Sequence, residues 1–308
     1  FLIEQFGLSA TLILAAAVNL GVGVLALAKG RGDVPAEGEE GEAADAGSAG
    51  QAFSPTQTRL ALIVFAISGF AALSLEVLWT RSLMFWVHID TWAFTAMLSA
   101  FLTGIALGSF VMVRLLPRVK SPFVALGVLE VLIGVSAAAT VPLLGALSGT
   151  FEAGTDTGTF GTGLTSHIMH KLGQCFFVMF VPTVLMGAAF PLVSHIYVRA
   201  RKKVGEGTGT LYALNTVGAI VGSLAAGFLL VPVVGIQKSI LLVAAVYGVL
   251  GVVVLWHAVR VSVRPFAIGG SALIPAACVL FSVTWDAPDL VTRGPWAVRE
   301  NIGEFRIL

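Results

Sequence analysis

Charge is scarce in this chain. Its 308 residues include 18 Lys or Arg and 17 Asp or Glu, so charged residues make up 11% of the whole, where soluble domains carry about 25%. A surface so poor in charge does not keep a domain of this size in water. The net charge of +1 gives no basic footprint for nucleic acid. Cysteine is scarcer still: Cys175 and Cys278 both sit in long apolar runs, which excludes a disulfide framework and a zinc site built from CxxC pairs. What fills the chain instead is apolar. Hydrophobic residues reach 57% and the mean hydropathy is +0.93, so the expected solvent is a lipid bilayer.

In lipid the backbone must satisfy its own hydrogen bonds, which favours helices, and each crossing takes about 20 mostly apolar residues. About eight such runs are present: Leu8 to Leu27, Leu60 to Met84, Thr91 to Leu115, Phe123 to Leu147, Leu172 to Val198, Leu211 to Val231, Ser239 to Val259 and Phe266 to Thr284. The sequence therefore predicts an all-α integral membrane protein with about eight transmembrane helices. Basic residues cluster at one side of this series: Arg114, Arg118 and Lys120, then Arg199, Arg201, Lys202 and Lys203, then Arg260 and Arg264. The excess of positive charge assigns that side to the cytoplasm and the protein to the cell (inner) membrane. Parity then puts the tail after Trp285 outside.

The chain also repeats itself. "GLSATLILAAAVNLGVGVLAL", from Gly7, aligns without gaps to "GIQKSILLVAAVYGVLGVVVL", from Gly235; such duplication is common in transporter folds. Between the copies, residues 29–57 are rich in Gly, Ala and Glu and read as a disordered acidic linker. Since the sequence opens on Phe1 inside an apolar run, residues 1–28 are expected to be the last helix of an upstream repeat. Residues 58–285 form a seven-helix repeat of their own, part of a transporter-like bundle.

Four stretches carry a family likeness: "FAISGFAALSLEVLWTRSL", "AMLSAFLTGIALGSFV", "FVPTVLMGAAFPLV" and "GTLYALNTVGAIVGSLAAGFLLVPVVGI". Together they resemble the membrane region of the spermidine-synthase-like (polyamine aminopropyltransferase-like) multi-pass proteins, which is loosely similar to major-facilitator transporters. The resemblance implies that a soluble aminopropyltransferase-like domain follows, with residues 286–308 as its lead-in. That domain would hold decarboxylated S-adenosylmethionine on a Gly-rich strand-to-helix turn. No such turn is present here: Gly21 with Gly23 lies in a span, and "GEGTGT" from Gly205 lies in a loop. No cofactor is therefore expected for these residues. Parity also puts the lead-in outside, away from the cytosolic pool in which that cofactor would be expected.

Within the spans, Gly104 with Gly108 and Gly218 with Gly222 make two GxxxG patterns, the small-residue surfaces through which membrane helices approach closely. Glu76 and Arg81 are five apart, about 140° around a helix, so they do not pair along one face. Arg81 is expected to snorkel to the outer interface. Glu76, about 7.5 Å deeper, is either a buried structural acid or a contact for a cation or proton. Glu130 lies about 15 Å from Glu76 by helical rise, too far for a carboxylate pair, and is expected to share the inner level with Tyr212 and Asn215. That trio reads as an interhelical hydrogen-bond cluster or as an inner gate.

His167 and His170 share a helical face, yet no third ligand is near in sequence, so they read as interfacial residues and no metal is expected. Pro182 and Pro191 are expected to bend or break their helix. Two functions follow as expectations. One is a non-catalytic membrane domain that binds or moves a polyamine-like small cation. The other is a scaffold subunit held among other membrane subunits.

Overall fold

The computed structural model describes residues 2–30, 54–87, 91–153, 163–201 and 204–258. The expected eighth span, most of the linker, the tail, the basic residues Lys202, Lys203, Arg260 and Arg264, and the side chains of His167, His170, Arg199 and Arg201 lie outside the described residues. The described chain is helical throughout apart from short connections, and six of its helices are long and apolar enough to cross a membrane. It is an all-α multi-pass membrane protein.

The chain divides into two units, Phe1–Gln51 and Ala52–Leu308. The first contains helix α1, Leu2–Gly30, whose apolar part runs over Ser9–Leu25. Gly7 breaks its regularity with φ 75° and ψ 167°, a conformation that glycine alone adopts without strain. The Thr11 hydroxyl then donates to the Gly7 carbonyl at 2.9 Å.

The second unit holds α2 (Pro55–Val87), α3 (Thr91–Leu115), α4 (Pro122–Ala153), α5 (Gly163–Arg201), α6 (Val204–Ala225) and α7 (Ile236–Ala258). A 3-10 turn, Leu116–Arg118, closes α3, and α6 continues through a π turn, Ala226–Leu230, and a last helical turn, Val231–Val234. At Gly235 the backbone takes φ 86° and ψ 160°, and the Ser239 hydroxyl donates to its carbonyl at 2.6 Å. Gly7 with Thr11 and Gly235 with Ser239 are the same device at aligned positions of the two sequence copies.

Lipid supplies no hydrophobic force between helices, so packing depends on how closely backbones can approach. Glycine sets that distance at three interfaces. Gly104 and Gly108 of α3 press on Thr183 and Val184 of α5, and Gly187 of α5 presses back on Ile105. Gly218 and Gly222 of α6 lie on Ala66 and Phe70 of α2. Gly127 and Gly134 of α4 meet Leu255 and Ala244 of α7. A Cβ at any of these positions would collide with its neighbour.

Hydrogen bonds fix the register of the close pairs. Ser74 of α2 donates to the Gly222 carbonyl at 2.9 Å, and Trp79 Nε1 donates to Thr140 Oγ1 of α4 at 3.0 Å. α5 runs unbroken through Pro182 and Pro191, where a break was one expectation. A proline leaves the carbonyl four residues earlier without its helical donor. For Pro191 that carbonyl belongs to Gly187, and Ser109 of α3 donates to it at 2.7 Å. Near Pro182, the Thr183 hydroxyl bonds back to Met179 O at 2.8 Å. At Pro191 a neighbouring hydroxyl thus replaces the lost bond, and the helix continues.

Alanine at Gly218 or Gly222 should lower stability by about 1–3 kcal/mol, the usual cost of overpacking. Alanine at Gly209 of α6, where a Cβ meets nothing within 4 Å, carries the same change in helix propensity and should leave stability intact. Thermal unfolding of the three variants in mild detergent checks the difference.

Candidate functional site

Two glycines on one face of α4 frame a fully buried polar position. Gly127 and Gly134 are seven residues apart on α4, two turns on the same face, and both let α7 close in, at Gly251 and Leu255 and at Ala244, Tyr247 and Gly248. Glu130 lies between these two contacts. It is 0% exposed, and neither Oε1 nor Oε2 has a hydrogen-bond partner among the described residues. Ser68 of α2 turns its hydroxyl toward the carboxyl, within electrostatic reach but without the geometry of a satisfied hydrogen bond. Tyr247 of α7, also fully buried, lies within reach of the same charge. Its own hydroxyl is committed elsewhere, donating to the Ser68 carbonyl at 3.0 Å.

On the next residue of α2 the surroundings change. Gly69 is turned about 100° from Ser68 and receives the Asn215 side chain of α6. Tyr212, one turn before Asn215, packs on Phe190 of α5 with ring centroids 4.6 Å apart, and Phe190 in turn packs on Phe65 at 5.9 Å. Tyr212 is 57% exposed. The trio expected from the sequence is therefore not brought together. Glu130 and Asn215 share a level of α2, but they lie on different faces of it, because α4 pairs with α7 while the glycines of α6 seat it on the other side. Ser68 and Tyr247 stand where Tyr212 and Asn215 were expected.

Glu76 follows Gly69 by seven residues and Phe65 by eleven, so all three lie on one face of α2, the face toward α5 and α6. It is half-buried, and no basic side chain pairs with it among the described residues. From Ser68, the level of Glu130, it stands eight residues away, about 12 Å along the axis; the two acids form no pair. Arg81 is exposed near the end of α2, its guanidinium beside Gly227 of the π turn. At the opposite end, Arg114 lies 3.4 Å over the ring of Phe110.

Ser68 and Tyr247 escaped the sequence reading, although one signal pointed to Tyr247. In the aligned copies its counterpart is Asn19, so a side chain that can donate a hydrogen bond interrupts the same apolar run twice. Nothing marked Ser68, since serine is ordinary in membrane helices. Among the described residues no group of three or more His, Cys, Asp or Glu is placed to hold a metal ion.

Removing the Tyr247 hydroxyl deletes one buried interhelical hydrogen bond, and such bonds contribute about 0.6–1.7 kcal/mol in membrane proteins. Tyr247→Phe should therefore lower stability by about 1 kcal/mol in detergent unfolding, without changing helix content by circular dichroism. No protein-family model, curated protein or solved structure matches this chain.

Proposed function

We propose that this chain is the membrane domain of a spermidine-synthase-like protein and that it binds, and passes across the bilayer, a small organic cation. One observation carries the reading. Two acids, Glu76 and Glu130, stand within the spanning helices, and among the described residues no basic side chain neutralises either. An intramembrane acid is costly and persists where it is paired, wet or in use.

Glu76 is the group placed to touch the cation. It is partly accessible, and its face of α2 continues past Leu73 and Ala72, both partly exposed, and past Gly69 with Asn215 to the rings of Phe65, Phe190 and Tyr212. Aromatic faces attract organic cations, and an amide oxygen accepts hydrogen bonds from an ammonium group. The basic residues Arg114, Arg118 and Lys120 at the end of α3 favour a cytoplasmic position for that end and an inner-membrane location.

The scaffold reading has its own support. The span formed by α6 and its continuation is 11% buried, and its outer side is a continuous apolar surface from Val217 to Phe228. A companion membrane subunit that covers this surface would co-purify in fixed proportion.

Glu76→Gln keeps the shape and removes the charge. Uptake or binding of a radiolabelled polyamine by vesicles containing the full chain should fall about tenfold, a loss of about 1.4 kcal/mol. Unchanged uptake would rule the cation reading out, and a constant stoichiometric companion in mild detergent would favour the scaffold.

A further inference from the structure

We propose that Glu130 is a proton-binding site: it holds a proton while α2, α4 and α7 are closed around it and releases that proton only when they part. The use of this proton in transport rests on the cation reading above; its presence does not.

A carboxylate can hold a metal ion, an organic ammonium or a proton, and the surroundings of Glu130 fit the last. An ionised carboxylate sealed from water needs a counter-charge or several donors, and Glu130 has neither among the described residues. A calcium or magnesium ion needs six or more oxygen ligands and zinc about four, whereas the polar groups near this carboxyl among the described residues are the hydroxyls of Ser68 and Tyr247. An organic ammonium needs room, and the contacts at Gly127 and Gly134 close the position one turn to either side. A proton needs no room. Once bound it turns the acid into a donor, for which the Ser68 oxygen is the acceptor at hand. The Tyr247 hydrogen points away, to the Ser68 carbonyl.

Other titratable groups on the packed helices stand off. Arg59 and Glu76 are nine and eight residues from Ser68 on α2, and Arg81 is thirteen. Lys238 and His257 are nine and ten from Tyr247 on α7. On α5, His195 and Tyr197 lie five and seven residues beyond Phe190, which packs at the level of Phe65. Each is roughly 12 Å or more away along the axes. Among the described residues Tyr247 is thus the titratable side chain beside Glu130. On opening, the O–H bond of Glu130 breaks, the carboxylate keeps the electron pair and the proton passes to water; closing reverses the step.

Infrared spectroscopy of the full chain in lipid vesicles tests this. At neutral pH the wild type and Glu76→Gln should both show the carbonyl stretch of a protonated carboxylic acid, displaced in heavy water, and Glu130→Gln should lack it. No such band in the wild type, or a band that survives Glu130→Gln, overturns the proposal. If Glu130→Gln does not fold, carbon-13 labelling of glutamate carboxyls in Glu76→Gln decides the matter, since Glu130 is then the remaining acid within the described spans. A band that moves with the label supports the site, and its absence refutes it. Failure of the cation reading looks different: the band is present and the wild-type vesicles take up no polyamine.

Discussion

The close approach of helices in a solvent that does nothing to push them together is the constraint on which the rest of this structure depends. In water, burying a leucine would stabilise a contact; in lipid, the gain comes from dispersion and hydrogen bonds once the backbones are near. The chain meets the requirement with glycine at the contact points and with hydroxyls and an indole aimed across from one helix to another. Ser74 on Gly222, Ser109 on Gly187, Trp79 on Thr140 and Tyr247 on Ser68 each tie two helices at one defined register.

The position of Glu130 follows from that constraint. Its burial is a by-product of the Gly127 and Gly134 contacts, which bring α7 down over the carboxyl from both sides. α2 gathers the other polar groups, because it is the helix that meets α4, α5, α6 and α7. Consecutive residues of α2 serve different neighbours: Ser68 turns to α4 and α7, Gly69 to α6. A shift of α2 along its axis would therefore be felt on both faces at once. That gives a physical route by which the state of the buried acid and the surroundings of Glu76 could be linked.

How much of this was legible in the sequence differs by level. The spans were readable because their hydropathy is unbroken: α3 was expected over Thr91 to Leu115 and occupies those residues. Glycine at four-residue spacing marked contact surfaces without naming their partners, since which helix meets which depends on tertiary arrangement. The expected grouping of Glu130 with Tyr212 and Asn215 failed for the same reason. Depth along a helix can be counted from residue number, and Asn215 beside Gly69 lies one residue along α2 from Ser68, which faces Glu130. The angular position around α2 cannot be counted that way, and it separates them. Similarly, the prolines of α5 were expected to bend or break it, and the hydroxyl that compensates Pro191 belongs to another helix, where the sequence of α5 does not show it.

The π turn at Ala226–Leu230 has a consequence for the pairing of α2 with α6. Small residues of α6 that face α2 recur every four positions, at Gly218, Gly222 and Ala226. On a helix of 3.6 residues per turn such a series drifts by about 40° at each step, so two straight helices would soon lose contact along it. Coiled coils correct a drift of this kind by winding continuously around one another. Here one widened turn takes up the surplus residue, and Leu230 and Val231 return to the packed side. A local insertion thus takes up within one turn a drift that a supercoil would spread along the whole pair.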